Sequence, residues 1–406
     1  MSPLRRRALS RSLAFALVAS SACGGATTGS PSSDGGAGST GDSPADAAAE
    51  ALPETAPRFA VPLFSCGGIG YTIGTTIGGS QQFQLLVDTG STTLGVAETG
   101  CSSCGVSPEY TPGATAVDEN GTAQSQYDLG SWSGEIYVDF VAVGSATPTP
   151  VELVGIRMQS MFLNPVQCDS KSGGVQGVIG FGPTQAAVSG TNGYFDQLVT
   201  TSGLPDVFAT ELCNTGGTLW LGGYDPSFTT APPQFVPLLS RLYYAVGLTS
   251  ITVDGTMVPI ASGAYTDSVV DTGTSVFVMG TTSFDALSTA IAQNPQFQAM
   301  VGGASFFANG CQQSTVFSAT KAALDAALPP LSLTFGAGPT VQALPTESYL
   351  VAVASDMWCP ALAAQAQSAQ SFPFASVMGA SILRSSVVVF DREQNRIGFA
   401  PHTACP

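Results

Sequence analysis

The chain has 406 residues, 44% of them apolar and only 10% charged, with 47 Gly and 27 Pro. That length holds two large domains or several small ones, and the composition is that of a strand-and-turn protein with a sizeable core, not of a disordered or coiled-coil chain. The formal net charge is −16, and phosphate binding needs a basic face, so nucleic acid is not an expected partner.

The N-terminus has the pattern of an export signal. Arg5, Arg6, Arg7 and Arg11 form a positive head, Leu13 to Ala19 a short apolar run, and Ser20, Ser21 and Ala22 a small-residue site before Cys23. The expected signal peptide is 1–22, and its apolar run is too short to span a bilayer. A cysteine directly after such a site resembles a bacterial lipobox, in which Cys23 would be lipidated. Ser20 departs from that pattern, where a larger aliphatic residue is usual. Without these residues the chain has 28 acids against 8 bases, a charge of −20. So few cations suit a protein that works at low pH, where carboxylates neutralise.

From Gly24 to Pro57 there is no aromatic residue and no Lys or Arg. Such a stretch cannot bury enough apolar surface to fold, so 23–57 is expected to be a flexible tether. A folded body comes next. Short strands are predicted at Phe83–Val87, Glu135–Val143, Gly217–Leu221, Leu248–Val253, Ser268–Val270 and Ser386–Phe390, separated by Gly, Pro and Asn turns. Helices are fewer, around Tyr194–Thr201, Thr282–Gln293 and Thr320–Ala327. The fold class is mostly β. Thr230-Ala231-Pro232-Pro233 marks the expected boundary between an N-terminal lobe (58–232) and a C-terminal lobe (233–406). The Ala/Gln/Ser run from Ala361 to Ser371 reads as a surface insertion.

The body carries one local pattern twice. Leu85-Leu86-Val87-Asp88-Thr89-Gly90-Ser91 is echoed 183 positions later by Ser268-Val269-Val270-Asp271-Thr272-Gly273-Thr274-Ser275. One Asp-Thr-Gly after an apolar strand is an ordinary turn. Two copies imply two similar lobes, each presenting a carboxylate at a strand end. Like charges sharing a site cannot both ionise easily, so one carboxylate can take a proton from water while the other donates one. Ser91 and Thr274 lie three residues after each Asp and can donate to it. Thr89 and Thr272 can tie the loops together across the interface.

Nine cysteines remain to be placed. With Cys23 set aside, eight form an even set in an exported protein, enough for four disulfides. Cys101-Ser-Ser-Cys104 also has the spacing of redox and zinc motifs. Zinc would need a second ligand pair, and the single histidine, His402, stands outside every motif. A hydrolase built on histidine would have to depend on it.

In order along the body, six segments resemble those of pepsin-family aspartic proteases. The first Asp-Thr-Gly loop is followed by Tyr127-Asp-Leu-Gly-Ser-Trp-Ser-Gly134, which resembles the flap hairpin. Gly177-Val-Ile-Gly180 with Phe181-Gly182 resembles the strand bracing the first loop, and Leu221-Gly-Gly-Tyr-Asp225 the end of the first lobe. The second loop is followed by Val377-Met-Gly379, with Val389-Phe-Asp-Arg392 and Arg396-Ile-Gly-Phe-Ala400, resembling the second brace and closing hairpin.

The resemblance covers about Cys66 to Ala400 and implies a bilobal pepsin-like acid protease fold with a cleft between two β-barrel-like lobes. It implies an endopeptidase with Asp88 and Asp271 as the catalytic pair, supported by Thr89, Gly90, Ser91, Thr272, Gly273 and Thr274. No metal and no cofactor are implied. Tyr127 would close over an extended polypeptide substrate, bound by backbone near Gly130 and Ser131. Implied disulfides are Cys101–Cys104, Cys311–Cys359, Cys66–Cys168 and Cys213–Cys405.

The sequence also departs from the family. A Trp that usually comes after the first loop and bonds the flap Tyr is absent near Gly95, with Trp132 as the candidate to compensate from the flap. The stretch 24–57 lacks the basic residues of a pepsin-like prosegment. The resulting expectation is an exported, monomeric endopeptidase with an acidic optimum, secreted or held at the cell envelope, touching membrane only through a lipid at Cys23. Its rivals are a binding protein on the same fold without catalysis and an envelope structural lipoprotein.

Overall fold

The computed structural model describes residues 59–67, 70–127, 130–163, 174–261, 263–313, 320–354, 357–365, 374–403 and 405. The expected signal peptide, tether, Cys23 and Cys168 lie outside these residues, as does most of the Ala361–Ser371 run.

Strands dominate. Thirteen of them form one sheet, which runs from the flap strands at one edge to Gln234–Pro237 at the other, and three smaller sheets complete the later half. The long sheet crosses the molecule. Val207–Cys213 pairs on one side with Gly216–Leu221 and on the other with Val387–Asp391 from the end of the chain. The two halves therefore share backbone ladders, and one continuous apolar core runs through both. This is the mostly β, bilobal pepsin-like acid protease fold.

Predicted elements and observed ones agree within a residue or a few at their ends. Phe83–Val87 sits inside the strand Gln81–Asp88, and Leu248–Val253 and Ser268–Val270 are strands over those residues. The three helices are Tyr194–Ser202, Thr281–Ala292 and Lys321–Ala327. Thr320 caps the last of these by accepting from the backbone N–H of Ala323 at 3.2 Å, satisfying a donor the helix cannot satisfy itself. A further helix, Pro295–Val301, has Asn294 as its cap and Pro at its first position.

The repeat in sequence is a repeat in topology. Gln81–Asp88 runs parallel to Gly177–Gly180, which in turn is antiparallel to Gly95–Ala97. In the later half Ser268–Val270 runs parallel to Ser376–Met378, which is antiparallel to Phe277–Met279. Each Asp-Thr-Gly thus ends a buried strand held by a parallel neighbour. The loop beyond is pinned to the residues just past that neighbour: Phe181 N–H donates to Asp88 C=O at 2.7 Å, and Ala380 N–H to Thr274 C=O at 2.7 Å.

Three disulfides close the described body. Cys101–Cys104, Cys213–Cys405 and Cys311–Cys359 have S–S distances of 1.97, 2.05 and 2.04 Å. Cys66 is also disulfide-bonded, and its expected partner Cys168 lies outside the described residues. Among the described residues no helix is long and apolar enough to cross a membrane.

Candidate active site

The two Asp-Thr-Gly loops meet at the junction of the halves. Asp88 and Asp271 are 1% and 2% exposed, and each is held by its own loop. The backbone N–H of Gly90 donates to Asp88 Oδ1 and that of Gly273 to Asp271 Oδ1, both at 2.8 Å. Ser91 Oγ donates to Asp88 Oδ2, and Thr274 Oγ1 to Asp271 Oδ2 at 2.6 Å. Each carboxylate therefore has one oxygen fixed by backbone and the other by a hydroxyl.

The threonines interlock the loops. Thr89 Oγ1 donates to the C=O of Val270 at 2.9 Å and accepts from the N–H of Thr272 at 3.0 Å. Thr272 Oγ1 donates to the C=O of Val87 at 2.8 Å and accepts from the N–H of Thr89 at 3.1 Å. All four bonds are buried. Losing either hydroxyl would orphan a buried N–H and a buried C=O, costing about 1–3 kcal/mol for each group left unpaired.

The glycines set how closely the loops approach. A Cβ built on Gly90 would lie 2.7 Å from Asp271 Cγ, and one on Gly273 would lie 2.7 Å from Asp88 Cγ. Any side chain there would push the opposing carboxylate away. With hydrogen in that place the two carboxyls stay close: the point a Gly273 Cβ would occupy is 2.4 Å from Asp88 Oδ1 and 3.2 Å from Asp271 Oδ1.

Burial and proximity set their titration. Desolvation is the largest influence on both and raises both. For Asp88, hydrogen bonds from Ser91, Asp271 and the loop backbone offset part of that rise. Asp271 is pushed well above the ordinary range, because the Asp88 charge adds to desolvation. The two carboxyls therefore titrate as one coupled pair, and the loss of one proton hinders the loss of the other.

Tyr127 stands beside the first loop, buried, and its hydroxyl is pushed up to about 12 by burial and by the Asp88 charge. Its N–H donates to the C=O of Gly130 at 2.7 Å, closing a hairpin turn. Ser131 continues the hairpin, paired with Gln126 on one side and Ser160 on the other. Trp132 Nε1 donates to Tyr127 Oη at 3.2 Å. A Cβ on Gly95 would lie 3.7 Å from Trp132 Cε2, so the indole packs over the position where the family's Trp is missing. The side-chain donor to the flap Tyr is retained, from a different strand.

Sequence reasoning missed the other wall of this site. Phe162 stacks on Tyr127 with ring centroids 4.8 Å apart and meets Trp132 edge-on at 6.4 Å. Nothing local to Phe162 marks it, since the contact exists only once Thr149–Ser160 has paired with the flap strand. A shallow concavity, open to solvent, lies against Ser91 and Tyr127. Thr92, Ser125, Val188 and, from the later half, Tyr243 are among its other lining residues.

The family model for the eukaryotic aspartyl protease matches residues 70–402. The chain belongs to the aspartyl protease family. Among relatives of this family member, a beta-secretase of Strongylocentrotus purpuratus is 26% identical over 376 residues, covering 84% of this chain and 67% of the relative. An aspartic protease of Phaffia rhodozyma is 30% identical over 220 residues, covering 53% of this chain and 52% of that protein. Pepsin A-5 of Mus musculus is 26% identical over 331 residues, covering 79% of this chain and 78% of its own length. Family membership and these relatives support peptide hydrolysis by an aspartic-type peptidase.

Proposed function

We propose that this chain is an aspartic endopeptidase in which Asp88 and Asp271 activate one water molecule for direct attack on a peptide carbonyl. The observation that carries this reading is the mutual approach of two buried carboxyls, each with one oxygen tied to backbone and one to a hydroxyl. Asp88 takes a proton from water as the oxygen attacks the carbonyl carbon. Asp271, which keeps the pair's proton, donates it to the carbonyl oxygen. The resulting tetrahedral diol collapses as the C–N bond breaks: the proton held by Asp88 passes to the leaving nitrogen, and a diol hydroxyl returns its proton to Asp271. No covalent intermediate with the protein forms.

In this reading Tyr127 and the backbone at Gly130 and Ser131 lie over an extended substrate, which main-chain bonds hold and side-chain pockets sort. The lobes divide at 230–233. The protein is exported and monomeric, secreted or held by a lipid on Cys23. An acidic optimum follows from the need for one proton on the pair.

The test is digestion of an unfolded protein at about pH 3–5, with and without a pepstatin-like inhibitor whose hydroxyl mimics the tetrahedral diol. Inhibitor-sensitive cleavage is the expected result. No cleavage, or cleavage indifferent to the inhibitor, overturns the reading.

A further inference from the structure

Six basic side chains fall within the described residues: Arg157, Arg241, Lys321, Arg384, Arg392 and Arg396. Five are committed to structure. Arg157 pairs with Glu98 and Glu135, and Lys321 with Asp325 and Glu347. Arg392 pairs with Asp196 and Asp206, and Arg396 with Asp391. Arg384 is buried and donates to Asn214 and to the C=O of Thr346. Arg241 is exposed and, alone of the six, has no side-chain ion pair or hydrogen bond to a described residue.

Its position bears on the cleft. Arg241 is at the tip of a hairpin loop closed by the bridge between Leu238 and Val246 and by Leu239 N–H donating to Ala245 C=O at 2.8 Å. Leu242 N–H donates to Ser240 Oγ at 3.0 Å, so the tip is ordered. Two residues on, the ring of Tyr243 lines the concavity beside Ser91. Leu239 and Leu242 flank Arg241 and are 49% and 51% exposed, an apolar shoulder on the same loop. None of the residues lining the concavity carries a charge. Among the described residues, a single cation without an ion pair thus lies two residues along the chain from Tyr243, which lines an uncharged pocket, on a chain of net charge −16 that otherwise repels anions.

We propose that Arg241 is a specificity-determining residue, which selects substrates with an acidic side chain a few positions from the scissile bond, on the side lying over Ser91 and Tyr243. The inference rests on the cleft reading given under Proposed function. An exposed ion pair of this kind is worth a factor of about five in binding. It acts equally on bound substrate and transition state, so it enters through KM.

The experiment uses the purified protein and a series of peptides carrying cysteate, Asn or Lys at each position flanking one cleavage site. Cysteate is a sulfonate and stays ionised at any assay pH. For each protein the readout is the ratio of kcat/KM between paired peptides, which cancels general loss of activity. At one position the wild type should favour cysteate over Asn by about three- to fivefold and disfavour Lys, with the difference in KM. Arg241→Gln should bring the ratio to about one, Arg241→Glu should invert it, and Arg241→Lys should keep most of it. Salt should shrink the wild-type ratio by screening. Active protein with no charge preference at any position, or with a preference that survives Arg241→Glu, overturns the proposal and leaves the peptidase reading intact. Failure to cleave any peptide overturns both.

Discussion

The loop carrying Asp88 faces an aromatic wall of Tyr127, Trp132 and Phe162, whereas the strand leading to Asp271 lies in a valine-rich cluster of Val269, Val276, Val278 and Val377 that also holds Tyr243. Inside each loop the hydrogen bonds are the same: glycine N–H to one oxygen, hydroxyl to the other, threonine across to the opposite strand. The shared part gives two carboxylates in matching poses. The unlike part gives them different neighbours, while burial first and the charge on Asp88 second raise Asp271 well above the ordinary range. Local repetition builds the pair, and the surroundings differ from one member to the other.

The sharpest way to break this comparison is to remove one carboxylate at a time. Asp88→Asn and Asp271→Asn should each lower kcat by roughly 10³-fold, and the double variant should be little worse, since the pair acts as a unit. Losses that multiply in the double variant would mean two independent groups. Next comes the spacing between loops. Gly90→Ala and Gly273→Ala each drive a Cβ into the opposing carboxyl, and such a displacement should cost about 10²-fold in kcat, with circular dichroism confirming a folded protein. Near-normal turnover in both would show that close approach is not required.

The flap belongs to the first half alone, so its loss should be felt less. Trp132→Phe removes one donor to Tyr127 and should lower kcat/KM about five- to tenfold. Tyr127→Phe made on top of it should add less than it does in the wild type, because the two share one bond. Additive losses would deny the coupling between them.

The smallest effect concerns stability. Both aspartates have folded values above the ordinary 3.8, so the folded state keeps its protons longer than the unfolded chain. Their contribution is therefore fully present below about pH 4 and is lost as pH rises through the raised values. Thermal melts of the wild type should fall over that range, and Asp271→Asn should flatten the fall. A melt curve that is unchanged by the substitution would contradict the assignment.

Much of the site was legible because it is local. Asp88, Thr89, Gly90 and Ser91 are contiguous, as are their counterparts, and hydrogen bonds two or three residues long are written into such strings. Trp132 was legible too, as a tryptophan five residues after the flap tyrosine. Phe162 and Tyr243 were not, because each takes its place at the site only after distant strands pair. The helix Pro295–Val301 is a different case. Asn294 followed by Pro295 is a local cap signal that sequence reasoning passed over, hidden by the Gln-rich, weakly periodic run behind it.

The central claim is that Asp88 and Asp271 work as one monoprotonated unit. A pH–rate profile of kcat/KM with an uncharged peptide tests it most directly, since only the protein then titrates. The account predicts a bell with its maximum on the acid side of neutrality, rising as the first proton leaves the pair and falling as the second does. A profile with a single limb, or a maximum above neutrality, would contradict it.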